Sequence, residues 1–136
     1  MTEALYAALN KPKWIRQDIE NLESELNAYT ETMKLSGIRY DSDKVKTSPK
    51  DYMPEYAARV DSMQSKIKEK QQEYLKAHDA VRELADALQG IEKKIIIQRY
   101  LECRRYEDIA AGVYMSVRQM YKYRSRAIEK LEKIVQ

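Results

Sequence analysis

The chain has 136 residues, with 25 Lys or Arg against 22 Asp or Glu, 11 Tyr, no Phe, and a single Trp, His and Cys. One cysteine excludes an intrachain disulfide framework, and one His beside one Cys excludes the usual zinc ligand sets. No stretch approaches the roughly 18 apolar residues of a membrane span, and the opening MTEALYAALN has no basic region or apolar run of signal-peptide type, so the expected location is the cytoplasm.

Gly occurs only at 37, 90 and 112 and Pro only at 12, 49 and 54, and the segments between them read as helix, with no alternating strand pattern. Residues 2–10 fit a short helix capped by Thr2, with Leu5 and Leu9 on one face, ended by Asn10-Lys11-Pro12. Ile15, Ile19, Leu22, Leu26, Tyr29 and Met33 then recur at alternating spacings of 4 and 3, an apolar seam of heptad type that stops near Gly37. Residues 37–54, GIRYDSDKVKTSPKDYMP, have no period and hold two prolines, and read as a long connection. From Glu55 the same spacing resumes through Tyr56, Val60, Met63, Ile67, Lys70, Tyr74, Ala77, Val81, Leu84 and Leu88 to Gly90, with Lys70 alone breaking the seam.

The expected fold is therefore all-α: a long antiparallel, coiled-coil-like hairpin followed by a C-terminal head. At 1.5 Å per residue the second long helix spans roughly 52 Å and the first roughly 36 Å. The longer one should overhang near residues 79–89. Val81, Leu84 and Leu88 then need cover from the 2–10 helix, the head or a second chain. A sustained seam also signals association, so a homo-oligomer through the long helices is expected.

Charge divides the chain at the same point. Residues 1–90 carry 14 basic and 16 acidic side chains, a net of −2, and residues 91–136 carry 11 and 6, a net of +5. Two domains follow: 1–90 as a helical oligomerisation part and 91–136 as a basic head suited to nucleic acid.

Three helices fit the head. The first covers IEKKIIIQRYLE, with Ile91, Ile95 and Leu101 (plus Ile97 or Gln98) inward, and CRR at 103–105 is a turn. The second is YEDIAAG, with Tyr106, Ile109, Ala110 and Val113 inward and with Glu107 and Asp108 in its first turn, where the helix dipole favours acids. After GVYM, Ser116 caps the third, whose buried stripe is Val117, Met120, Ala127, Leu131 and Ile134. Its opposite face shows Arg118, Gln119, Lys122, Ser125 and Arg126, and no acid stands in the helix before Glu129. A solvated face ordinarily mixes signs along its length. Long donors gathered at the N-terminal end suit a helix that enters the major groove and hydrogen-bonds purine edges.

RYLECRRYEDIAAGVYMSVRQMYKYRSRAIEKL (99–131) resembles the helix-turn-helix of region 4 of bacterial sigma factors, in Arg99-Tyr100 before the first turn, EDIA in the second helix, Ser116, and RAIEKL. It is still more similar to phage-encoded late-gene transcription regulators of the ArpU and RinA type, whose S-x-RQ-x-Y is present as Ser116, Arg118, Gln119 and Tyr121. The segment YDSDKVKTSP (40–49) also looks like one seen in those proteins. The resemblance implies a double-stranded DNA binder that activates phage late genes in the bacterial host cell. In the matching positions Arg118, Gln119, Tyr121 and Lys122 would face the groove and Arg105, Tyr106 and Ser116 would lie near phosphates. RNA polymerase is a further candidate partner. One departure is Tyr114, which stands where such heads usually carry Gly. Either Gly112 takes the left-handed conformation and the turn is shifted, or the turn avoids positive φ.

Two other functions join the same kinds of element: a DNA-recognition subunit of phage packaging, small-terminase-like, and a structural coiled-coil adaptor without nucleic acid. An enzyme is not expected, since no Gly-rich phosphate loop occurs, His78 lies off the seam, and Cys103 beside Arg104 and Arg105 reads as a small residue at a helix end. No cofactor or metal is expected.

Overall fold

Helical periodicity organises the described chain from end to end. The structure, a computed structural model, describes the backbone of residues 1–43 and 48–135 and the side chains of residues 1–34 and 54–135. Its elements are α1 (Glu3–Asp43), α2 (Ser48–Asp86), α3 (Gly90–Ile96), which runs on as a π-helical turn (Ile97–Leu101), α4 (Tyr106–Gly112) and α5 (Val117–Val135). No strand occurs among the described residues, and the fold is all-α as the periodicity predicts.

The breakers act differently from expectation. The 2–10 helix does not end at Pro12. α1 passes straight through it, and Pro12 is fully buried. A proline inside a helix costs about 3 kcal/mol through its missing N–H and its ring clash. Burial of that ring sets packing against the local penalty. Gly37 likewise lies inside α1; relative to Ala it costs only about 1 kcal/mol there, too little to stop a helix. Pro49 stands in the first turn of α2, where a missing N–H loses no helical bond. The expected 37–54 connection is thus helical up to Asp43 and from Ser48 onward, and its residues 44–47 lie outside the described residues. α2 also ends earlier than expected, at Asp86. The Ala87 and Leu88 N–H groups donate to Leu84 O and Ala85 O at 3.2 and 2.9 Å, tightening the last turn. Gly90 then takes φ 61, the left-handed conformation that turns the chain into α3.

Packing groups the residues into two compact units, Arg16–Gln72 and Met1–Ile15 with Glu73–Gln136. The first is the hairpin. Asp18 faces Lys70 at 3.8 Å, and the Tyr29 and Tyr56 rings stack at 5.6 Å. Advancing along α1 therefore means retreating along α2, and the pair is antiparallel. Lys70, the break in the seam, carries its ammonium out to Asp18 while its stem stays half-buried. Arg59 lies over the Tyr29 ring at 4.9 Å. Ile19, Leu22, Leu26, Tyr29, Met33, Tyr56, Val60 and Met63 are all only half-buried, whereas Ile67 is buried.

The second unit holds the main core: Leu5, Leu9, Val81, Ala85, Leu88, Ile96, Tyr100, Leu101, Ala127, Ile128 and Leu131. This settles what covers Val81 and Leu88. The first turns of α1 and the C-terminal helices do so together, and a second chain is not needed there. A smaller cluster joins Ile95, Ile109, Ala110 and Met120 between α3, α4 and α5. Consecutive isoleucines therefore serve different layers, Ile96 the main core and Ile95 the smaller one. In the π-helical turn the Glu102 N–H donates to Ile97 O at 3.1 Å, and both Tyr100 and Leu101 are buried. Ile134, expected on the buried stripe of α5, is 51% exposed, because the inward face runs through Leu131 to Val135, which packs on the main core, and leaves Ile134 beside it.

Leu5 and Leu9 are fully buried against groups far away in sequence. Leu9→Ala should lower the unfolding free energy by roughly 2–5 kcal/mol, the range for a truncated core leucine. Urea denaturation followed by circular dichroism measures it. A loss below about 1 kcal/mol would mean that the start of α1 does not complete this core.

Candidate nucleic-acid interface

The site is assembled on two turns. The first, Glu102–Arg105, follows the π-helical turn. Cys103 adopts φ 56, and the Arg104 N–H donates to Gln98 O at 3.0 Å. Arg105 precedes α4 in extended conformation, and its Nε lies 3.5 Å from Asp108 Oδ2. Asp108 and Glu107 occupy the first turn of α4 as the dipole argument predicts.

The second turn answers the question raised by Tyr114. The Met115 N–H donates to Ala110 O at 3.1 Å and the Tyr114 N–H to Ala111 O at 3.2 Å. That pair of bonds is the Schellman arrangement, and it demands a left-handed residue at the first position past the helix, the donor of the inner bond. Tyr114 is that residue, with φ 57. Both alternatives drawn from the sequence are therefore corrected: Gly112 stays helical, and the turn does not avoid positive φ. Met115 fixes the register by packing against the smaller cluster, while the Tyr114 side chain is 96% exposed.

α5 starts where the sequence places it. Ser116 Oγ accepts a hydrogen bond from the Gln119 N–H at 3.2 Å. Met120, Ala127, Ile128 and Leu131 turn inward, and Arg118, Gln119, Lys122, Ser125 and Arg126 are exposed. Gln119, Lys122, Tyr123 and Arg126 line a shallow depression on that face, and the Arg126 guanidinium lies 5.5 Å from the Tyr123 ring centroid. Among the described residues, Arg118, Lys122 and Arg126 form no ion pair. The later charges of α5 have a different job. Lys130 Nζ lies 2.8 Å from Glu92 Oε2, a nearly buried carboxylate of α3, and so fastens α5 to α3.

Of the expected site residues, Ser116, Arg118, Gln119, Tyr121, Lys122 and Arg126 share α5 and its cap, and Tyr106 is brought to them. The Tyr106 and Tyr121 rings lie 5.1 Å apart, and Tyr121 remains 42% exposed. Arg105 is exposed at the head of α4, with part of its charge taken by Asp108. Sequence reasoning missed the groups beneath. Arg99 lies over the Tyr106 ring at 4.2 Å and Arg124 at 5.4 Å. Arg124 Nη2 donates to the buried Tyr100 hydroxyl at 3.4 Å. Burial raises the Tyr100 pKa above the ordinary tyrosine value, with the neighbouring Tyr106 adding to the shift and Arg124 opposing it. Two arginines on one tyrosine could have been suspected from their number in the head, but their partners could not, since helical spacing is silent about pairs across elements.

The arrangement offers hydrogen-bond donors and positive charge on an exposed helix face. Among the described residues, no group of three or more His, Cys, Asp or Glu could hold a metal ion, and no helix is long and apolar enough to cross a membrane. Comparison with protein-family models, curated proteins and solved structures returns no match to this chain.

Two outcomes test this geometry. Tyr114→Gly should stabilise the protein by about 1 kcal/mol, since a non-glycine residue in the left-handed region costs roughly 1–2 kcal/mol and the freer unfolded chain returns part of that. A lowered melting temperature would contradict it. The second concerns pH. A tyrosine whose folded pKa is raised contributes stability that is fully present below its unfolded pKa of about 10 and is lost as pH rises through the folded value. Stability should therefore fall above about pH 10, and Tyr100→Phe should remove that part of the fall while costing about 1 kcal/mol at neutral pH through the lost Arg124 hydrogen bond. Thermal melts of both proteins across alkaline pH decide it, and parallel curves would contradict the assignment.

Proposed function

We propose that this chain is a sequence-specific double-stranded DNA-binding transcription regulator, and within that class a phage late-gene activator working in the cytoplasm of a bacterial host. The reading involves no catalytic step. One observation carries it: Arg118, Lys122 and Arg126 lie exposed along the first turns of α5, beside Gln119, and form no ion pair among the described residues, while the acids of that helix come only later and Lys130 is engaged with Glu92. A solvated face ordinarily mixes signs along its length, and here three cations stand in one patch with no acid of α5 among them. A face that meets phosphates and purine edges calls for such a patch. The phage late-gene assignment rests on the resemblance of residues 99–131 and, more weakly, of residues 40–49, and contact with RNA polymerase goes with it. In this reading residues 91–136 read DNA and residues 1–90 carry the association.

Association of two or more chains is part of the same proposal. The observation that favours it is the hairpin seam, where eight apolar or aromatic side chains on α1 and α2 stay half-buried within one chain. A second hairpin laid on that seam would complete their burial. Light scattering after size exclusion tests it. A dimer or larger species at micromolar concentration is expected, and a clean monomer would remove this part while leaving the DNA reading intact.

The DNA reading is tested on Arg118, whose side chain is exposed and carries no fold contact. Arg118→Ala should cost about 1–3 kcal/mol on the preferred duplex and relax the choice of base at one position. Unchanged affinity and unchanged preference, with the helical signal intact, would leave α5 as a solvated face and the chain as a structural adaptor.

A further inference from the structure

The start of α1 brings one more cation to the same unit. Lys13 stands on α1 directly after the buried Pro12. With Asn10 it lines a small pocket whose other walls are Arg99, Tyr100 and Cys103, at the π-helical turn and the turn after it. The pocket holds about 30 Å³ of free space, room for one small polar group and not for a base or a sugar. No carboxylate lines it. Lys13 is exposed and, among the described residues, forms no ion pair. Arg99 is held in place rather than free to swing. Its Nη1 donates to Arg104 O at 3.0 Å and its guanidinium lies 4.2 Å over the Tyr106 ring.

Two basic residues lining one acid-free pocket, one of them with its guanidinium held in place, are suited to a single oxyanion. An ammonium supplies a point charge, and a fixed guanidinium supplies directed N–H donors. The position of the pocket says which oxyanion. Arg99 stacks on Tyr106, and Tyr106 meets Tyr121 on α5, one residue from Lys122. Ring and guanidinium contacts therefore link Arg99, in the wall of the pocket, to Tyr121 on α5.

We infer that Lys13 and Arg99 together bind a backbone phosphate of the duplex read by α5, so that the DNA interface extends beyond the C-terminal head onto the first helix of the chain. The inference rests on the DNA reading given above. Lys13 adds affinity and fixes the register of α5 on the duplex, and it carries no sequence preference of its own.

Lys13→Ala is the direct test because the side chain is exposed and away from the core. Full-length protein is titrated with its selected duplex and with a duplex of scrambled sequence across a series of salt concentrations. Lys13→Ala should weaken both duplexes by the same factor, about threefold, and reduce the slope of log affinity against log salt by about 0.9, one phosphate's share. Lys13→Glu should weaken both further. Arg118→Ala, run in parallel, should act on the selected duplex alone. If both Lys13 variants keep wild-type affinity and slope while Arg118→Ala loses the preference, the clamp is wrong and the DNA reading stands. If the wild-type protein binds neither duplex at low salt, the DNA reading itself falls, and the inference with it. Inorganic phosphate provides the last arm, followed by NMR of the Arg99 side chain. Saturable shifts there, with DNA affinity unaffected by Lys13→Ala, would identify a site for free phosphate and overturn the assignment to the duplex backbone.

Discussion

The contact on which the C-terminal half of the protein depends is the burial of Leu5 and Leu9, from the start of α1, against Val81, Ala85 and Leu88 of α2 and against Ile96, Tyr100, Ala127, Ile128 and Leu131. Fully burying a leucine is worth roughly 1.5–3 kcal/mol, and these two side chains are fully buried. They give the C-terminal helices a floor. On that floor α3 is fixed, the π-helical turn follows, and α5 is held along its one buried stripe, by the Ile95, Ile109, Ala110 and Met120 cluster near its start and by the main core at Ala127, Ile128 and Leu131. The Lys130–Glu92 pair adds a polar fastening where α5 crosses α3. A helix anchored at several points along one face presents its opposite face in a fixed orientation, which is what recognition of a particular ligand surface requires.

Much of this was legible in the sequence, and what was legible had a local cause. YEDIAAG is α4 residue for residue, because an acid-rich first turn and a small-residue end mark it. Ser116 caps α5, because a hydroxyl before a helical run satisfies an otherwise unpaired N–H. The antiparallel hairpin followed from two seams of matching spacing. What the sequence hid was set by tertiary contact. Pro12 reads as a stop and is not one, because its ring is buried in a packed unit. Gly37 and Pro54 read as the edges of a long connection, yet both lie inside long helices. Tyr114 occupies the left-handed position of a Schellman turn although Gly112 stands two residues before it. At that turn the Met115 N–H reaches Ala110 O while its side chain packs on the smaller cluster, a tertiary contact that local preference does not encode.

The candidate site divides in the same way. The exposed donors of α5 were visible as a run of long basic and amide side chains without acids, since periodicity places them opposite the buried stripe. The support beneath them was not visible. Arg99, Arg124, Tyr100 and Tyr106 come from three elements, and their stacking and hydrogen bonding are written in no spacing rule. Lys13 lies further still from the head in sequence and reaches that region only because the first turns of α1 are part of its core. Charge counted along the chain assigns Lys13 to an acidic-to-neutral half, while charge counted in space sets it beside Arg99. Partner surfaces of this kind are assembled by packing.

The proposal that α5 reads duplex DNA is tested most directly by selecting bound sequences from a random duplex library with the full-length protein, at a stated and moderate salt concentration. The account predicts enrichment of a recurring motif with strong preference for particular bases at a few adjacent positions, as expected when Arg, Gln and Lys side chains meet base edges in the major groove. A pool that stays random after repeated rounds, at salt low enough to retain any basic protein on DNA, would contradict it.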